Sequence, residues 1–326
     1  MNSSSTSGLQ VNRVSALHGW RWLKYGFAIL MRSPAQLLLL MAMMMMLTNL
    51  LASFGLIGVV VAKGLMPVLL VSYLSLLHRL APSAASLGMP SSAPPGSGPM
   101  PADAQQSGLP DRTTPASGKP RISLDSVFSW AKDRKALGAV IQLGMVSLTI
   151  DVIAIYLSGY PAAMEQLAEG VNRMAGQAAN HQETMMALMA PVMRAALLML
   201  AMTIPCYLLM WYSPIFAGIH RRGLLKSLIF SVIAVCRNLP AFLCHAICLA
   251  AFVMLMAMLM TMLPGGGAGA GLGANMLFSP YMLLIVPIVF SVIVCSQWAC
   301  YLDTVTLSPE KEKAPEALPP AEDNQH

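Results

Sequence analysis

The sequence predicts an all-α fold, a polytopic helical membrane protein. Its six transmembrane helices form three repeats of an in-plane amphipathic helix followed by a transmembrane hairpin. Three observations predict it. Of 326 residues, 56% are hydrophobic and 10% are charged, against about 25% charged in ordinary water-soluble domains. Apolar stretches long enough for helices to cross roughly 30 Å of hydrocarbon recur along the chain. Lysine and arginine collect in alternate connections between those stretches. A backbone inside lipid must pair its own polar groups, which helices do within one segment, and the alternation of barrel strands is absent.

Residues 1–34 form a basic amino-terminal segment with an amphipathic helix. There Trp20, Leu23, Phe27 and Leu30 recur on one face, and Arg21, Lys24, Ala28 and Arg32 on another. The first apolar run begins near Ala35, after more than thirty residues. A cleaved signal would be shorter and nearer the terminus, so this run reads as an uncleaved anchor. The block 35–80 is too long for one span and divides at Gly55 and Gly58 into a first hairpin.

Residues 81–120 contain nine prolines, many small polar residues and no apolar period. Such a composition buries too little surface to offset ordering entropy, which predicts a disordered cytoplasmic linker. The unit 121–212 opens on a second amphipathic stretch, where Leu124, Val127, Phe128 and Ala131 oppose Asp125, Ser129, Lys132 and Asp133. Spans follow at about 136–158 and 188–211, joined by an outer loop in which 164–184 has helical periodicity. In the unit 213–302, Leu225, Leu228, Ile229 and Val232 oppose Lys226, Ser227 and Ser231. Its spans lie at about 241–263 and 281–301, joined by "GGGAGAGLGAN". The tail 303–326 reads as disordered.

The three units share punctuation. Each carries a phenylalanine, an arginine five to seven residues later and a small residue at the span: Phe27–Arg32–Ala35, Phe128–Arg134–Ala136 and Phe230–Arg237–Ala241. Pro34 and Pro240 suit the first turn of a new helix, where a missing N–H costs nothing. Arg32, Arg134 and Arg237 are read as interfacial arginines that keep their charge among headgroups. With six spans, 17 of the 20 basic residues fall on one side, which places both termini in the cytoplasm. The opposite loops hold Arg173 with Glu165, Glu169 and Glu183.

Ionisable residues inside spans are the default functional candidates. Three stand out: Asp151, Arg194 and Lys63. Counted from the predicted outer ends, each lies roughly 10 Å deep at 1.5 Å per residue. We expect Asp151 to pair with Arg194, with Lys63 as the second choice. The pair reads either as a structural tie with snorkelling side chains or as a substrate or proton site.

The remaining motifs point to no chemistry. The six cysteines lie in or beside apolar segments and read as small buried hydrophobes. "CHAIC" and 27 methionines raise a soft-metal path, but the methionines of "MAMMMM" and of 254–262 point all round their helices, as apolar filler does. "GGGAGAGLGAN" lacks the lysine and the strand setting of a phosphate loop. No zinc-protease helix or serine elbow occurs. The expectation is therefore no enzyme, no cofactor, no metal and no nucleic-acid partner. Trp20, Trp22, Trp130, Trp211 and Trp298 fall near predicted membrane edges, as an aromatic belt would. Membrane lipid is the expected partner. Anionic headgroups could meet the basic cytoplasmic segments such as Arg221, Arg222 and Lys226, where a topology signal explains the charges equally well.

One stretch carries a resemblance. "WYSPIFAGIHRRGLLKSLIFSVIAVCRNLPAF", residues 211–242, resembles a family of uncharacterised multi-pass inner-membrane proteins of beta-proteobacteria. The positions that match are Trp211, Tyr212, Ser213, Pro214, Lys226, Ser227, Leu228, Ser231, Arg237 and Asn238, and "GWRWLKYGFAILMRSPAQL" from Gly19 looks like that family's start. The resemblance implies a bacterial inner-membrane location and no assigned activity. A more distant similarity, to the membrane domain of some glycerophosphodiester phosphodiesterases, implies lipid-related work without the separate catalytic domain of those enzymes. Two function classes follow: a non-catalytic envelope, assembly or lipid-associated factor, or a transporter or channel using Asp151, Arg194 and Lys63.

Overall fold

The computed structural model describes residues 9–81, 127–174, 181–262 and 280–307. The predicted linker, the start of the second amphipathic stretch, the glycine-rich connection and residues 308–326 of the predicted tail lie outside the described residues, while 303–307, expected to be disordered, complete the last helix and form a strand. The chain begins with a short strand β1 (Leu9–Val11), then α1 (His18–Arg32), α2 (Pro34–Ala52) and α3 (Gly55–Leu80). A 3-10 turn at Ser129–Lys132 leads into α4 (Arg134–Leu157), α5 (Tyr160–Met174) and α6 (His181–Leu209). After a π-helical turn, Ile215–Ile219, come α7 (Leu224–Arg237), α8 (Leu239–Met262), α9 (Pro280–Thr304) and strand β2 (Val305–Leu307). Six of these helices, α2, α3, α4, α6, α8 and α9, are long and apolar enough to cross a membrane. The chain is an all-α multi-pass membrane protein.

Local sequence sets the breaks. Ser33, with non-helical backbone at φ −147° and ψ 58°, separates α1 from α2, and Pro34 occupies the first turn of α2. Asn238 separates α7 from α8. Asp133 caps α4 by accepting from the Lys135 N–H at 2.9 Å. Gly159, at φ +69°, lets α5 follow α4 through a left-handed residue that a side chain would strain. The carboxyl ends of α3 and α9 and the amino ends of α4 and α8 gather at one end of the bundle, here termed the basic end.

Helix α9 is the central element. From Ser291 to Thr304 nearly every side chain is buried, including Trp298, Cys300 and Asp303. Helix α3 is buried all round from Val71 to Leu77, while spans such as α2 bury a narrow stripe, Leu37, Met41 and Met44, and expose the rest of their apolar surface. That pattern is expected where lipid is the outer solvent.

Helix α1 departs from the in-plane expectation. His18 meets Asp303 and Gly26 meets Ser296, so α1 runs antiparallel to α9. Gly19 meets Ala241 and His245, Trp22 packs edge-to-face on Phe242, and Phe27 does the same on Phe252, so it runs parallel to α8. A helix lying across the ends of these spans would touch each at one level. Helix α1 instead follows both for about two turns. Close approach at Gly19 and Gly26 makes this possible, because a Cβ there would sit 2.3 Å from Ala241 O or 2.7 Å from Ser296 N. The buried stripe is Gly19, Trp22, Leu23, Gly26, Ile29 and Leu30, while Trp20 is exposed, a face displaced from the predicted one.

The outer loop of the second unit is helical from Tyr160 to Met174, in line with its periodicity. Helix α5 packs on α6 through Ala163, Leu167 and Gly170, with Gly170 against Leu188. Further down, Tyr207 of α6 reaches Asp151 of α4. Nineteen residues separate the two contacts along each arm, 151 to 170 and 188 to 207, so one antiparallel register runs through both. Helices α4 and α5 thus form one arm that packs antiparallel along α6. The second amphipathic stretch is a 3-10 turn over its described part.

Candidate functional site: polar clusters among the spans

Asp151 comes down to the α6 register just described. Tyr207 donates its hydroxyl to Asp151 Oδ1 at 2.8 Å and lies 3.1 Å from Ser147 Oγ, one turn earlier on α4. Helices α3 and α4 touch backbone to backbone at Gly64 and Gly144, where a Cβ on Gly144 would sit 2.4 Å from Gly64 O. That approach brings the neighbouring Lys63 within reach, and its Nζ stands 3.0 Å from Asp151 Oδ2. No hydrogen bond is aligned on Oδ2, so charge holds this contact. Asp151 is well shielded, its side chain 14% exposed, whereas Lys63 is 52% exposed.

The expected partner was Arg194, and the structure corrects this. On the shared register Arg194 is exposed at the level of Met164 of α5, thirteen residues along α6 from Tyr207 and about 20 Å away at 1.5 Å per residue. It borders an open hollow of about 560 Å³ with Ala190, Met193, Leu197 and Leu198. Depths counted inward from helix ends mispaired the two because α6 is shifted along α4.

The interfacial arginines take different places. Arg134 is the first residue of α4 and Arg237 closes α7, both at the basic end. Arg32 lies thirteen residues beyond Gly19 on α1, about 20 Å along its axis, so it does not share a level with Arg237.

A second polar cluster ties α1 to the core. The Trp22 indole N–H donates to Asp303 Oδ2 at 2.8 Å, and His18 Nδ1 lies 2.6 Å from the same oxygen. His245 of α8 bridges α1 and α9, with Nδ1 3.2 Å from Gly19 O and Nε2 3.3 Å from Ser296 Oγ. Strands β1 and β2 pair antiparallel, Val11 with Val305, and fasten the segment before α1 to the end of α9. Asn238 holds the same segment. Its carbonyl oxygen accepts from Val14 N at 2.8 Å, and its amide donates to Asn12 O at 2.9 Å.

The segment 210–223 is a break between α6 and α7, buried from Tyr212 to Gly218. Tyr212, Ser213, Ile215, Phe216 and Ala217 are fully buried. The Tyr212 hydroxyl meets Cys300 Sγ at 2.8 Å and Thr304 Oγ1 at 2.7 Å, and its backbone N–H donates to Ser231 Oγ at 3.0 Å. Gln297 of α9 donates to Trp211 O. Irregular backbone at such a place needs these partners because no water supplies them. Burial raises the Tyr212 hydroxyl pKa well above its ordinary value, with the nearby Cys300 adding to it. Burial first, then the charges of His78 and Arg222, lower His220 to about 4. His220 Nε2 shares a 2.5 Å hydrogen bond with the Tyr301 hydroxyl.

Three of the five tryptophans correct the aromatic-belt expectation. Trp22, Trp130 and Trp298 are buried, and their indole N–H groups donate to Asp303, Ser72 Oγ and Ala81 O. Sequence position near a membrane edge does not separate a belt residue from a core residue whose polar tip has found an internal acceptor. Among the described residues no three of His, Cys, Asp or Glu come together to hold a metal ion. The chain matches no family model, no curated protein and no solved structure.

Proposed function

We propose that this chain is a non-catalytic, lipid-associated factor of the bacterial inner membrane, with both termini cytoplasmic and its units related by internal repetition. The observation that carries the reading is where the polar groups of the bundle point. Asp151 is engaged by Lys63 and Tyr207, Asp303 by His18 and Trp22, and Tyr212 by Cys300 and Thr304. Each set bridges different helices, as ties do, and buried polar groups must be partnered in this way. The resemblance to uncharacterised inner-membrane proteins and, distantly, to a lipid-enzyme membrane domain supports the same class.

A transporter or channel is the second reading. It is favoured by a charged pair inside apolar helices and by the helix break at 210–223, buried from Tyr212 to Gly218, since interrupted helices line substrate sites in transporters. One experiment separates the two. In a deletion strain with a measurable phenotype, the charge-neutral double variant Lys63→Met with Asp151→Asn restores growth at normal abundance if the pair is structural. Normal abundance without rescue overturns the non-catalytic reading in favour of transport.

A further inference from the structure

At the basic end, a cleft of about 390 Å³ opens between the first turns of α4 and α7. Arg134 and Lys135 border it from α4, and Arg221 borders it from the turn before α7. Asp133 offsets part of this charge, with Oδ2 3.6 Å from Arg221 Nε and Oδ1 committed to the Lys135 N–H. Two positive charges therefore remain in excess among these four side chains. They stand where a helix already presents its positive pole, an arrangement that repels cations. Neither α4 nor α7 has an acidic residue in its first turn, and the cap of α7, Gly223, makes no side-chain bond. Three cations and the amino terminus of α7, which no side chain caps, surround one hollow and form an anion cradle.

The floor is built from small residues. Gly138 lines the cleft, and a Cβ added there meets nothing within 4 Å. Gln142, one turn further along α4, adds an amide donor. Beyond the cleft the surface turns apolar, with Ile141 48%, Met145 57% and Leu225 73% exposed. Charge at the mouth with apolar surface beside it fits a phosphate group carrying acyl chains.

We infer that this cleft binds a phosphate group, the headgroup of an anionic phospholipid or a free phosphate, through Arg134, Lys135 and Arg221. The inference rests on the lipid-associated reading and names its site. The test uses the full chain purified in neutral detergent, titrated separately with phosphatidylglycerol, phosphatidylcholine and inorganic phosphate. Binding is read by thermal stability and by lipid adducts in native mass spectrometry. Two variants are compared with wild type: Arg134→Gln with Lys135→Gln and Arg221→Asn, and Gly138→Leu. Asparagine tolerates the left-handed backbone that Arg221 adopts at φ 53°, and the leucine fills the cleft without touching a charge.

Wild type is expected to bind phosphatidylglycerol in preference to phosphatidylcholine. Each charge removed should weaken binding about fivefold, and Gly138→Leu should weaken it without a loss of melting temperature. Inorganic phosphate binding with the same dependence on both variants assigns the site to a soluble phosphate. Phosphatidylglycerol binding that both variants leave unchanged overturns the cleft while the lipid-associated reading stands. Equal affinity for both lipids in wild type overturns the two together.

Discussion

Breaking the Lys63–Asp151 contact from its two sides should have unequal consequences. At 3.0 Å and an effective dielectric of 20 the gross attraction is about 5–6 kcal/mol. Desolvation of both charges cancels much of it. What remains after one partner is removed depends on what the other can do. Lys63 is half-exposed and long, so with Asp151→Asn its ammonium can turn towards a polar surface. The asparagine oxygen keeps the Tyr207 hydrogen bond, and the cost should be about 1 kcal/mol. Asp151 is short and its side chain only 14% exposed, so with Lys63→Met the carboxylate is stranded. That variant should cost about 3 kcal/mol. The double variant should return close to Asp151→Asn alone, a coupling of about 3 kcal/mol. Reversible unfolding of the purified protein in mixed micelles, run as a double-mutant cycle, measures all four states. A Lys63→Met cost no larger than that of Asp151→Asn, or additive single effects, would refute the pairing.

The seat of α1 and the burial of His220 give two further expectations. Gly26→Ala places a methyl 2.7–2.8 Å from Ser296 backbone atoms and should cost about 1–3 kcal/mol by overpacking; Gly138→Ala, inside α4 with open space around it, should stabilise by up to about 1 kcal/mol, and equal melting temperatures for the two would argue against α1 lying along α9. His220 is held neutral in the fold, at about 4 against an ordinary 6.5, so the unfolded chain takes up its proton first as pH falls. Stability from this residue is complete above about pH 6.5 and is lost on acidification towards pH 4, by at most about 3 kcal/mol. Thermal melts from pH 8 to pH 5 should show a fall in wild type that His220→Gln flattens, and parallel curves would remove His220 as the cause.

Much of the fold was legible in the sequence because lipid acts on composition residue by residue. The spans at 136–158 and 241–263 fall on α4 and α8, and the break at Arg237 falls at the end of α7. The faces of the short helices were harder to read. Helix α7 turns Ser227, Ser231 and Ala234 inward and exposes Leu225 and Ile229, the reverse of a soluble amphipathic helix, because its outer neighbour can be as apolar as its own side chains. For Asp151, the sequence offered the right three charged residues and preferred the wrong pair. The Asn238 bonds to Asn12 and Val14 span more than two hundred residues and leave no periodic trace.

What the sequence determined by itself was the class of molecule, the number of apolar helices and the places where they start and stop. Each of these follows from local rules: hydrocarbon thickness, the unpaired backbone, the missing N–H of proline. What the tertiary structure decided was axial offset. The shift of α6 against α4 gave Asp151 to Tyr207 and removed Arg194 by about 20 Å, and the approach of α3 to α4 at Gly64 and Gly144 gave it to Lys63. The packing of α1 along α8 and α9 buried Trp22 and Asp303 together. Offsets of this kind are set by where small residues let backbones touch and where distant polar groups meet. Both are properties of pairs of helices, and no single helix carries them in its own sequence.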